Sequence, residues 1–172
     1  MIASNCEASF QDRPPEPQAN EHAATFRHIV KVAAALGFIG RPDEENLCLE
    51  GHVRIRDEYY CRVLSHVQGR KKLVLHTRLA DPVRNPTRQF DVKFHEANAA
   101  VIGTKVIFDP EDNSVRVESC VDYPATKEEA RHRLADLFRS ADELLGSEHL
   151  WTALAIGDAV LLGTPAALWD VA

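Results

Sequence analysis

The hydrophobic period changes several times along this chain, and each change marks an element. Residues 20–37 place Phe26, Ile29, Val30, Ala33 and Leu36 at i, i+3, i+4, i+7 and i+10. That spacing is the apolar stripe of an amphipathic helix. Asn20 can cap its start and Gly37 can end it. Residues 47–80 alternate at period two in three runs, which is strand spacing. Residues 87–102 return to helical spacing through Phe90, Phe94, Ala97 and Val101, and stop at Gly103. Lys105–Phe108 and Ser114–Val121 flank Asp109-Pro110-Glu111-Asp112-Asn113, turn chemistry that predicts a hairpin. Thr126-Lys127-Glu128-Glu129 has capping-box spacing and opens a helix to Leu145, with Leu134, Leu137, Phe138, Ala141 and Leu144 on one stripe.

The order α-βββ-α-ββ-α predicts an α+β fold: a five-stranded antiparallel sheet with helices covering one face. On the first strand, Leu47, Leu49, Val53 and Ile55 are expected inside, with His52, Arg54 and Arg56 outside. On the second, Tyr59, Cys61, Val63 and Val67 are expected inside, with Tyr60, Arg62, Leu64 and His66 outside. On the third, Leu73, Leu75 and Leu79 are inside, with Lys72, His76 and Arg78 outside. Residues 1–19 hold Pro14, Pro15 and Pro17 and no period, so they are expected to form a disordered arm. Residues 20–146 are the domain, and 147–172 an apolar C-terminal extension.

Composition changes this picture little. At 172 residues the chain suits one domain with a real core. Met1–Phe10 lacks the basic start and apolar run of an export signal, which suggests a cytoplasmic protein. The tail is apolar, but Asp158 sits inside it, and a carboxylate at the bilayer centre costs about 3 kcal/mol. No membrane span is expected. Charge is more informative. The net charge is −6, yet residues 51–93 carry a net +6. A basic middle block suits an acidic partner or the chain's own acidic ends.

Candidate chemistry is sparse. Four cysteines form no CxxC, and none of eight histidines makes the i, i+4 pair of a helical zinc site. His52, His66 and His76 share the outward parity and form the one conceivable metal patch; solvated polar residues are the simpler account. Ser65, Ser114 and Ser119 lack an elbow context, and no glycine-rich phosphate loop appears. Thus no catalytic residue, metal or cofactor is expected. The outward sheet residues interleave basic side chains with one tyrosine. That favours an acidic extended peptide over nucleic acid, since stacking platforms need several aromatics.

Two segments carry a family resemblance: Phe94-His95-Glu96-Ala97-Asn98-Ala99-Ala100, and Ile107-Phe108-Asp109-Pro110-Glu111-Asp112-Asn113-Ser114-Val115 after Gly103. An Asn-bearing helix running into an acidic-turned hairpin and a last amphipathic helix resembles the CesT-like type III secretion chaperones and the YbjN-like proteins. The resemblance implies a cytoplasmic homodimer without catalysis that holds an extended segment of a secreted protein. It implies a dimer contact on the second helix, at Phe90, Phe94, Ala97 and Val101. The peptide would use the first helix (Phe26, Ile29, Val30) beside the first strand, and the outward residues Arg54, Tyr60, Arg62 and Leu64. The alternative is an adaptor or regulator of the same fold that binds a folded partner or nucleic acid through the basic face. A small enzyme with a site assembled from scattered residues is a further rival.

Overall fold

A computed structural model describes residues 16–67, 72–122 and 126–165. Helix α1 spans Glu16–Ala35, and the edge strand β1 spans Gly40–Asp43. Three long strands follow: β2 (Cys48–Ile55), β3 (Glu58–Val67) and β4 (Lys72–Val83). Helix α2 (Arg88–Ala99) leads to the hairpin β5 (Thr104–Asp109) and β6 (Ser114–Asp122). Then come α3 (Lys127–Leu145), α4 (Glu148–Ile156), β7 (Ala159–Leu161) and β8 (Thr164–Pro165). The strands form one antiparallel sheet in the order β1-β2-β3-β4-β6-β5.

Local chemistry explains most boundaries. Thr87 Oγ1 accepts from the N–H of Phe90 at 3.3 Å and so caps α2. Thr126 caps α3 by accepting from the N–H of Glu129, and its hydroxyl donates to the Glu129 carboxylate. Gly37 and Gly103 follow α1 and α2 with φ of 88° and 81°, a conformation costly for any residue with a Cβ. The five expected strands are present as β2 to β6, and β1, β7 and β8 join them. The first helix starts at Glu16 rather than Asn20, so residues 16–19 belong to it and Asn20 is not its cap. Pro17 is tolerated there because first-turn N–H groups have no helical partner. The rest of the expected disordered arm, residues 1–15, lies outside the described residues.

The four helices of the described residues lie on one face of the sheet, over two adjoining cores. Phe26, Ile29 and Ala33 of α1 pack with Leu49, Leu64 and Leu75 of the sheet and with Leu134, Leu137, Phe138 and Ala141 of α3. Phe90, Phe94 and Ala97 of α2 pack with Leu150, Ala153 and Leu154 of α4, over Leu79, Val115 and Val117.

Residues 147–165, expected to be part of an apolar extension, are built into the fold. Helix α4 fills the second core, and the chain then re-enters the sheet. β3 pairs with β4 from Arg62 to Val67, and nearer its start it pairs with β8. β4 pairs beyond Ala80 with β7. The two long strands splay, and residues 159–165 occupy the gap. Sequence period missed this because a nine-residue helix that is apolar on most sides, followed by two very short strands, has no readable alternation. Residues 166–172 lie outside the described residues.

Candidate functional site

β3 is the strand on which sequence and structure disagree. Tyr60, Arg62 and Leu64 were expected outside. They are 2%, 5% and 1% exposed and face the helices, as does His66. The register explains the inversion. Leu64 lies opposite Leu49 on one side and Leu75 on the other, a row of three leucines across the inner face. Shifting β3 by one residue would turn that row to solvent. These residues are therefore core and cannot present a flat contact to a peptide.

Arg62 is the unusual member of this core. Its guanidinium pairs with the Asp142 carboxylate of α3 and lies 5.9 Å from the centroid of the Phe138 ring. The ion pair and the ring contact offset the cost of desolvating a permanent cation. Phe138 in turn stacks on Phe38 at 5.4 Å. The Phe38 ring lies over the cross-strand pair Gly40 and Gly51, where a Cβ would come within 3 Å of it at either position. Tyr60 donates to Glu58 at 2.9 Å, and burial followed by that carboxylate raises the phenol's pKa.

The opposite sheet face carries no helix among the described residues. It is built from Cys48, His52 and Arg54 of β2, Tyr59, Cys61, Val63 and Ser65 of β3, Val74, His76 and Arg78 of β4, and Arg116, Glu118 and Cys120 of β6. The cross-strand register grades this face. At one end Cys48, Ser65, Val74 and Cys120 form a row of small, weakly polar side chains. At the other, Arg54 lies opposite Tyr59 with its guanidinium 6.0 Å from the ring, and Arg78 lies opposite Arg116. Between the two ends, Glu50, Val63, His76 and Glu118 form a row with a carboxylate at either side, so the face is not a continuous positive surface. Cys61 donates to Glu50 at 3.2 Å; burial first and that carboxylate second push the thiol up to about 12, which keeps it un-ionised at neutral pH. Burial, then Arg116, lowers the pKa of His76.

Each remaining expected site residue has a definite place. Arg54 is exposed on the open face, as expected. Phe26 and Ile29 are fully buried beneath α1, and Val30 is half-buried at its margin. Phe90, Phe94 and Ala97 are sealed inside the chain by α4, and Val101 packs against the same core, so this stripe is not a free dimer contact. The sequence reading missed two exposed apolar side chains: Val92 on α2, 48% exposed, and Ile102 in the loop after it, 94% exposed. Their spacing falls off the main stripe, and that was the only signal. The three histidines do not converge, since His66 points inward while His52 and His76 point outward.

No family model matches the sequence, and no curated protein is detectably similar to it. Similarity to solved structures is detectable. YbjN from E. coli, a candidate transcription regulator, superposes with a TM-score of 0.55 at 13% identity, over 81% of this chain and 94% of that one. The HopA1–SchA chaperone–effector complex gives 0.49 at 11% identity, over 74% and 98%. The Yersinia pestis type III secretion chaperone SycH, in complex with a stable fragment of YscM2, gives 0.44 at 16% identity, over 69% and 94%. The chain thus has the YbjN-like fold that the Asn-helix and acidic hairpin suggested.

Proposed function

We propose that the chain is a non-enzymatic chaperone that holds an extended segment of a secreted partner protein on its open sheet face. The observation that carries this reading is a wide sheet with all four helices on one side and half-buried apolar side chains on the other. An extended segment needs no deep pocket. It presents alternate side chains to such a face, and specificity comes from the rows it crosses. Here the rows run from Cys48, Ser65, Val74 and Cys120 to Arg54, Tyr59 and Arg116. The fitting segment is apolar at one end and acidic at the other. The protein works as a homodimer, and the contact lies on the outer side of α2 around Val92 and Ile102, because the inner stripe is occupied by α4.

Purification of the full chain from its native host tests the reading. One dominant secreted protein should accompany it, and Arg54→Glu or Val63→Asp should release that protein without lowering the melting temperature. Retention of the same partner by both variants would remove the open face as the binding surface.

A further inference from the structure

β5 is the last strand of the sheet, and one of its sides has no strand beside it among the described residues. Such an edge ordinarily offers a row of N–H and C=O groups to another chain. In an antiparallel ladder alternate residues turn these groups toward the neighbouring strand and away from it. On β5 the centre of the outward row is already taken. Asn98, at the end of α2, accepts from the N–H of Val106 through Oδ1 at 2.6 Å and donates from Nδ2 to the C=O of Val106 at 3.2 Å. A carboxamide with one acceptor and one donor on adjacent atoms reproduces what a pairing strand supplies. The orientation of the amide is fixed, since a flip would set donor against donor and acceptor against acceptor.

The rest of β5 is suited to pairing with itself. Thr104, Val106 and Phe108 share the outward-turned backbone parity, while Lys105, Ile107 and Asp109 lie on the open sheet face. Antiparallel pairing of two β5 strands about Ile107 would place Lys105 of each copy opposite Asp109 of the other. It would join Val106 of one to Phe108 of the other through backbone hydrogen bonds. Opposite charges at the ends and an isoleucine pair at the centre favour that register. We propose that Asn98 is an edge lock: by serving as a surrogate strand for Val106, it closes β5 against a second copy of this chain. The α2-face dimer proposed above is then made by side chains alone, and the two sheets do not join.

The test uses the full chain carrying Val92→Asp and Ile102→Asp, which removes the α2-face contact and separates the two ideas. Adding Asn98→Ala should tighten self-association by about tenfold or more, read by sedimentation velocity over a concentration series. It should also speed hydrogen exchange at the Val106 amide at concentrations where the chain is monomeric. Asn98→Asp keeps the acceptor for the N–H but has no donor for the C=O, so it should fall between the two. Further addition of Lys105→Asp, which sets like charges against each other, should abolish the gained association. A folded Asn98→Ala variant that associates no more than its parent overturns the proposal. So does association that survives Lys105→Asp unchanged. If the alanine variant does not fold, Asn98→Asp decides by the same measures, and parental values in both sink the lock.

Discussion

Arg62 owes its place on the inner face to what surrounds it rather than to its own preference. A methionine there would keep the contact with Phe138 and leave Asp142, whose side chain is 57% exposed, solvated. Arg62→Met should therefore change stability by less than about 1 kcal/mol. Arg62→Glu buries a carboxylate beside Asp142 and should cost about 3 kcal/mol or more, measured by urea unfolding. A glutamate variant as stable as its parent would contradict the inward placement of the side chain. His66 supplies a pH prediction. Burial first, and then His22 with its ring centroid 5.4 Å away, hold its pKa below the ordinary histidine value. The neutral form is thus favoured in the folded state. Its contribution is complete above the unfolded value of about 6.5 and is lost as pH falls through the folded value. His76 acts in the same direction. Urea midpoints should fall between about pH 7.5 and about pH 5, and His66→Phe should reduce that fall. An identical pH slope in the phenylalanine variant would clear His66 of the effect.

At the scale of elements, α4 does for α2 what a partner helix would otherwise do. Leu150, Ala153 and Leu154 cover Phe90, Phe94 and Ala97, and Trp151 anchors the turn by donating from its indole to the C=O of Leu145 at 2.7 Å. The end of α4 approaches α2 very closely. A Cβ on Gly157 would come within 2.8 Å of Val83 and 2.9 Å of the Phe90 ring, both fully packed. Gly157→Ala should destabilise by about 1–3 kcal/mol through overpacking, seen as a lower denaturant midpoint. A neutral result would mean that α4 sits more loosely than described. The gap between β3 and β4 makes the same point. β7 and β8 are too short to stand alone, and they exist because two splayed strands each leave a side unpaired.

For the whole molecule, the sheet divides the surface in two. One side is closed by helices; the other carries no helix among the described residues and is graded in polarity. Val92 on α2 and Ile102 after it are exposed apolar side chains, and the proposed dimer contact rests on them. Sedimentation at micromolar concentration should report a species twice the 19.2 kDa chain, and Val92→Asp with Ile102→Asp should return it to that mass. A wild-type monomer would remove the dimer from the functional reading without touching the open face.

The sequence by itself determined the elements whose signals are local. The capped helices α2 and α3, the acidic hairpin between β5 and β6, and the alternation of β2 and β4 depend on neighbours a few residues away, and all were legible. The order of these elements was enough to indicate the fold. Tertiary structure decided which of two plausible faces is buried. On β3 both parities carry apolar residues, and the choice fell to Leu49 and Leu75 on the adjoining strands. The reversal itself held a clue: a two-residue turn at Arg56-Asp57 sets the even positions of β3 opposite the odd positions of β2, so Tyr60 and Leu64 share a face with Val53 and Leu49. On α2 the same ambiguity was resolved by α4, a segment some fifty residues downstream that has no helical stripe of its own. Periodicity records that a side chain has an inside to face; only the assembled sheet and helices determine where that inside is.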